Sequence, residues 1–313
     1  MKCLRLTLLL WISLLGGLGV LPITGVAAAP MPTLSVQFYK AHTPSETHMQ
    51  QLLSKMVEIQ DFARFVNQEF KLTHPIQVRF GHFDGPLYDL KRHTIDVPYN
   101  FMAEMIMLFN SARYGRTGLL PTQAAMDTLI YVLFHELGHA FIEMYKLPLF
   151  AQEEDVADYF ATTVLLDSFS GGAEIAISTA DMFDIASRLY GSANPKNHWD
   201  DHSVDIVRSQ RLLCHVYGSN PTRHKLLATH HRFLKTQNKI CQQRYQQLLA
   251  SWSIQLTPFL KPNSTRLART IIIPAPKKLR AKNLVKAKFR SKAAFKTRSN
   301  RKANHRYFRL TPY

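Results

Sequence analysis

The stretch from Thr128 to Tyr145 holds Leu129, Ile130, Val132, Leu133, Phe134, Leu137, Ala140, Phe141 and Ile142, so a helix drawn through it is apolar on nearly every side. Such a helix belongs in the middle of a domain. Pro121-Thr122 supplies the entry signal, because proline is tolerated in a first helical turn but not further in. Into this apolar run the chain sets His135, Glu136 and His139. Burying two imidazoles and a carboxylate without partners is costly. Whatever fold forms must therefore bring partners to them.

Spacing says which kind. Histidines at i and i+4 lie on one helix face, one turn apart, and both can reach one metal ion while Glu136 points towards a water on it. Lys146-Leu147-Pro148-Leu149-Phe150 ends this helix, and Glu153-Glu154-Asp155-Val156-Ala157-Asp158 opens another. Glu154 comes fifteen positions after His139, room enough to turn and lay the second helix beside the first. Glu154 and Asp158 then share a face. This makes Glu154 the third ligand and Asp158 the acceptor for the outer N–H of a ligating imidazole. Glu153 competes as ligand, but it would leave the orienting position to Ala157, which can orient nothing.

Two histidines and one glutamate leave a fourth position open on a zinc ion, as hydrolytic sites require. In that reading Glu136 is the general base. His202 is the candidate donor to a developing oxyanion, with His198 and Tyr159 behind it and Asp200 to orient its ring. A surface histidine at a helix start is the plainer reading of His202. His215, His224, His230 and His231 are too dispersed to make another site.

With these residues in view, the chain resembles the zinc metallopeptidases that take a glutamate as third ligand. More narrowly, His135 through Leu147-Pro148 to Asp158 resembles a family of bacterial proteins known as domain of unknown function 4344, to which metallopeptidase activity is ascribed. Trp199-Asp200-Asp201-His202, Gln210-Arg211, Cys214, Tyr217-Gly218 and Cys241 are similar to that family's second block. The likeness runs roughly from Ser45 to Leu249. It implies a zincin-like domain with His135, His139 and Glu154 on zinc, Glu136 as base, Asp158 behind the ligands, and the Trp199–His202 segment near the site. It also implies a disulfide between Cys214 and Cys241; two inert buried thiols are the alternative. Relatives tend to carry another cysteine pair upstream, and Arg79 to Tyr99 has none. The sheet there must be held by packing.

Export fits these cysteines, since disulfides persist in oxidising compartments. Lys2 and Arg5, the apolar Leu6–Val20 and the small residues Gly25-Val26-Ala27-Ala28-Ala29 read as a signal peptide over residues 1–29, with Cys3 inside it. An uncleaved membrane anchor is the minority reading, because Gly16-Gly17, Gly19 and Pro22 interrupt a stretch already short for a span. Both readings put the rest outside the cytoplasm, either periplasmic or secreted.

Charge locates the other boundary. No Asp or Glu follows Asp205, and from Lys261 onward there are 17 Lys and Arg, as many as the net charge of +17. The other 22 basic residues balance all 22 acidic ones. The expected organisation is a catalytic domain over residues 30–255 and a basic, disordered tail over 256–313. Such a tail suits a polyanion: lipopolysaccharide or anionic lipid for an exported protein, nucleic acid otherwise. A merely solvated tail is the bland alternative.

Thr43-Pro44-Ser45-Glu46 reads as a helix start, followed by apolar residues from Met49 to Phe70 at spacings of three and four. Pro75–Phe80 and His93–Val97 alternate as strands, with turn residues between, and are expected to pair as a hairpin. By the resemblance, this hairpin is the candidate for an exposed edge that binds a peptide substrate's backbone; an ordinary packed sheet is the alternative. Further helices are expected over Tyr99–Arg113, Glu153–Asp167, Ala173–Tyr190, Ser203–Tyr217 and Thr222–Leu249, the last with a break near Lys239. The fold class is α+β: a mostly helical body with a small upstream sheet. The expected activity is zinc-dependent hydrolysis of peptide bonds. The alternatives are a non-peptide zinc hydrolase and an inactive zinc protein tethered by its tail.

Overall fold

The apolar helix is α4, Pro121–Tyr145, with proline in its first turn, and it is buried along most of its length. Leu129, Leu133, Leu137, Ala140 and Phe141 are wholly inaccessible. Phe134 meets Phe62 edge-on at 4.9 Å and Phe141 meets Phe70 at 4.7 Å. Each fully buried side chain of this size stabilises the fold by roughly 1.5–3 kcal/mol. That suffices to hold a helix whose middle carries ionisable groups.

These positions come from a computed structural model, which describes residues 32–190, 205–262 and 264. The signal segment, His198, Trp199, Asp200, Asp201 and His202, and nearly all of the basic tail lie outside the described residues. The elements before α4 are β1 (Leu34–Phe38), α1 (Pro44–Leu53), α2 (Val57–Glu69), β2 (Ile76–Gly81), β3 (Leu87–Asp89), β4 (Thr94–Pro98) and α3 (Tyr99–Ser111). After it come α5 (Glu153–Ser168), α6 (Gly172–Tyr190), α7 (Asp205–Ser219), α8 (Lys225–His230), α9 (Arg232–Thr236) and α10 (Asn238–Leu256). The fold is α+β and mostly helical, with one small sheet in its N-terminal part. Among the described residues no helix is long and apolar enough to cross a membrane.

The expected hairpin does not form. Pro75–Phe80 and His93–Val97 are neighbours in the sheet, but β2 and β4 run parallel, in the order β1-β2-β4-β3. Alternation fixes which face a side chain takes and says nothing of strand direction. The intervening residues were read as turns; they contain β3, which pairs antiparallel with β4 and forms the sheet's edge. The opposite edge, β1, pairs parallel with β2. In place of a cysteine pair, the sheet carries an ion pair between the in-register Arg79 and Asp96, with Arg79 Nε 2.6 Å from Oδ1 and its guanidinium over the Phe83 ring at 4.8 Å.

Two helical readings are corrected. The apolar run from Met49 to Phe70 is split between α1 and α2, with α1 opening on the capping box of Thr43 and Glu46. Thr222–Leu249 is three helices: the break expected near Lys239 falls at Gln237, and a second, unexpected one falls at His231, neither of which has helical backbone angles. Beyond α10 the chain returns to the body: Phe259 stacks on Tyr145 at 3.8 Å, and the Lys261 N–H donates to the Glu69 carbonyl at 2.8 Å. The Cys214–Cys241 disulfide joins α7 to α10.

Candidate metal centre

Gly138 decides how closely α5 can approach α4. A Cβ at that position would stand 3.0 Å from Ala157 Cα and 3.2 Å from its Cβ. With only hydrogen there, the two backbones lie close enough for side chains at the start of α5 to reach His135 and His139. Glu153, Glu154 and Asp155 occupy that start, where the helix dipole favours negative charge.

Glu154 Oε2 lies 3.1 Å from His135 Nε2 and 3.5 Å from His139 Nε2, and the two Nε2 atoms are 3.3 Å apart. Metal–ligand bonds of about 2.0–2.1 Å in tetrahedral geometry set ligand atoms about 3.3–3.4 Å apart. The three donors therefore already stand at the spacing one ion requires.

The outer ring nitrogens strengthen this fit. His135 Nδ1 is 2.9 Å from Asp158 Oδ1, and His139 Nδ1 is 2.9 Å from Glu153 Oε1. Facing carboxylate oxygens, each Nδ1 is a donor, so a neutral ring turns the lone pair of Nε2 inward. Two lone pairs and a carboxylate oxygen then converge with no proton among them. A cation resolves that repulsion. Without one, protons serve: burial works against the His139 imidazolium, but hydrogen bonds to Glu153 and Glu154 raise its pKa to about 10. For His135, bonds to Asp158 and Glu154 outweigh burial in the same direction.

Asp158 is held as tightly as it holds. Arg208, from α7, donates to Oδ2 through Nε and to Oδ1 through Nη2, both at 2.8 Å, and the Tyr131 hydroxyl donates to Oδ1 at 3.1 Å. Burial pushes the Asp158 carboxyl up, but the Arg208 charge and the bonds from His135 and Arg208 outweigh it, leaving it ionised far below the usual carboxylate range. Arg208 is itself only 6% exposed and lies over the Phe183 ring at 4.1 Å. Sequence reasoning passed over Arg208. A charged residue among the apolar positions of α7 was its one signal, and a buried cation needs an anion.

Glu153 was read as a rival ligand; it sits instead on the outer nitrogen of His139, doing for that ring what Asp158 does for His135. Glu136 is 6% exposed and makes no hydrogen bond or ion pair among the described residues. Its charge nevertheless acts on His139. Tyr159 packs against Phe150 and His215 and lines a pocket with Arg211 and Arg244 to which neither His135 nor His139 contributes. In that pocket burial, with Arg244 and Arg211 adding to it, pushes His215 down to about 4.

A buried helix offering two imidazoles, a neighbouring helix offering a carboxylate, and a second carboxylate beside them are the parts of a metal-dependent hydrolase. The chain belongs to the family known as domain of unknown function 4344, described as "Putative metallopeptidase", whose model matches residues 38–256. That membership supports a metal-dependent peptidase acting on peptide or protein substrates. No curated protein and no solved structure matches the chain.

Proposed function

We propose that the chain is an exported zinc metallopeptidase in which His135, His139 and Glu154 hold the ion and Glu136 is the general base. The observation that carries this is the convergence of three donor atoms at 3.1–3.5 Å, with both imidazoles oriented from behind by carboxylates. Two imidazoles and one carboxylate suit zinc, which in such a set supplies Lewis acidity towards a carbonyl and acidifies a water.

The remaining steps belong to side chains. Asp158, gripped by Arg208, keeps His135 in the tautomer that offers Nε2 inward, and Glu153 does so for His139. Glu136 takes the proton from the attacking water and delivers it to the leaving amine, for which its lack of other partners leaves it available. The outer edge of β3 offers backbone groups to an extended peptide, as an added strand. His202 remains the proposed donor to the oxyanion, on the strength of the sequence alone.

Residues 1–29 are proposed as the export signal, and the Cys214–Cys241 bridge supports an oxidising destination, periplasmic or extracellular. The basic tail is proposed to bind an anionic partner such as anionic lipid, lipopolysaccharide or nucleic acid.

Two measurements test this reading: metal content of the purified protein by mass spectrometry, and cleavage of a mixed peptide library. Wild type should carry zinc at this site and cleave peptides; Glu136→Gln should keep the zinc and lose on the order of 10²–10⁴ in turnover. Cleavage that survives Glu136→Gln refutes its role. Loaded zinc with hydrolysis of small amides or esters but no peptides would favour the non-peptide alternative.

A further inference from the structure

One turn beyond His139, on the same face of α4, stands Glu143. Its Oε2 lies 3.7 Å from His74 Nε2, which belongs to the loop before β2, and 3.9 Å from His93 Nδ1, in the turn between β3 and β4. The two imidazole rings lie 3.7 Å apart at 32°. One ligand atom from each of the three residues falls within 4.8 Å of the other two. We propose that His74, His93 and Glu143 form a second metal site, for a divalent ion of the zinc type, which clips the β3–β4 turn and the loop before β2 to the last turn of α4.

Three features point to a cation rather than to chance packing. First, His74 Nε2 and Glu143 Oε2 are both shielded from solvent and have no hydrogen-bond partner. Separations of 3.7–3.9 Å are too long for hydrogen bonds and slightly wider than the spacing around a bound zinc, so completing the site requires the carboxylate to draw in and the two stacked rings to part. Second, the other polar atoms of the same residues are occupied. Thr73 Oγ1 lies 3.2 Å from His74 Nδ1, and Lys146 Nζ donates to Glu143 Oε1 at 3.3 Å, which leaves Nε2 and Oε2 as the inward pair. The Tyr88 hydroxyl lies 3.0 Å from His93 Nδ1, a contact that must give way where this nitrogen turns to a metal. Third, His93 holds a backbone φ of 53°, a conformation uncommon for a residue with a side chain, at the point where its ring faces Glu143.

The donor set also selects the ion. Two imidazoles and one carboxylate suit zinc and its transition-metal neighbours, whereas calcium and magnesium take oxygen ligands. Binding needs neutral rings, and burial, then the neighbouring His93, keeps the His74 pKa below its ordinary value. The Lys146 charge opposes a cation there, but its side chain is 81% exposed and can swing clear.

The experiment is done in a His135→Ala/His139→Ala background, which removes the first site, so that failure of one proposal is not failure of the other. The full-length chain is dialysed against buffered zinc; bound metal is counted by mass spectrometry, and the zinc-induced shift in melting temperature is recorded. The expected result is one zinc per chain and a rise in melting temperature in the background, both lost on adding Glu143→Gln and, independently, His74→Gln. A folded background that binds no zinc, or zinc that survives both added substitutions, overturns the proposal. Should the background not fold, Glu143→Gln in the wild type takes its place: two zinc ions per chain falling to one supports the site, and a count unchanged by the substitution overturns it.

Discussion

Arg208 grips both oxygens of Asp158 at 2.8 Å, and the oxygen nearer His135 also lies 2.9 Å from that ring's Nδ1. A buried ion pair thus stands directly behind one of the two imidazoles. Breaking it should lower both stability and metal affinity.

Replacing Arg208 with methionine keeps much of the packing on Phe183 but strands the Asp158 charge. Breaking a buried pair by removing one partner costs about 3–5 kcal/mol, and loss of a group behind a metal ligand weakens metal binding about 10–100-fold. Denaturant titration and chelator competition should show both. Arg208→Lys should recover only part of either, because an ammonium cannot reproduce the two-pronged contact. An unchanged chelator midpoint in Arg208→Met would remove this pair from the description of the centre.

Glu154 and Glu153 both touch the histidines, but from opposite sides of the rings. Glu154→Gln should abolish stable metal binding. Glu153→Gln should weaken it about 10–100-fold, the range for an orienting partner. Side-by-side metal content after dialysis against a weak chelator distinguishes them, and the reverse ranking would exchange their roles.

The centre's pH dependence has opposite signs with and without metal. In the metal-free protein the folded pKa of His139 is raised to about 10 from an ordinary value of 6.5. Its stabilising contribution is therefore fully present below about pH 6.5 and is lost as pH rises towards 10. Metal must displace that proton, so zinc affinity should climb over the same window. Melting curves of chelator-treated and zinc-loaded protein from pH 6 upward, to about pH 10, should diverge steadily. Parallel curves would contradict the assignment.

Gly138→Ala places a methyl group 3.0 Å from Ala157 Cα, so α5 must give by a few tenths of an ångström. Overpacking of this kind costs typically about 1–3 kcal/mol. Since Glu154 and Asp158 ride on α5, zinc affinity should fall along with stability. Isothermal titration against the wild type measures it; loss of stability with full affinity would show the helices adjusting without moving the donors.

Much of the centre could be read along the chain because helical spacing is a local rule. His135 and His139 at i and i+4, Glu154 and Asp158 at i and i+4, and the apolar run around the first pair required no knowledge of the rest of the molecule. What the sequence reading missed depends on contacts between distant segments. Arg208 lies fifty positions from Asp158. The second carboxylate behind the rings, Glu153, could not be told from a ligand until the side on which it meets His139 was known. The sheet fails for a related reason: alternation in Ile76–Gly81 and Thr94–Pro98 is the same for parallel and antiparallel neighbours, and only the placement of β3 at the edge settles the direction.

Sequence by itself pointed to a buried helix and a second one beside it that carry two imidazoles and a set of carboxylates within reach of one point, because burial of such groups demands company and spacing assigns their faces. Tertiary structure decided which carboxylate meets which nitrogen, that an arginine anchors the array from behind, and that a parallel strand lies where a hairpin was expected. Each of those turns on how closely two backbones approach, as Gly138 and Ala157 do, and closeness in space is a property no single segment encodes.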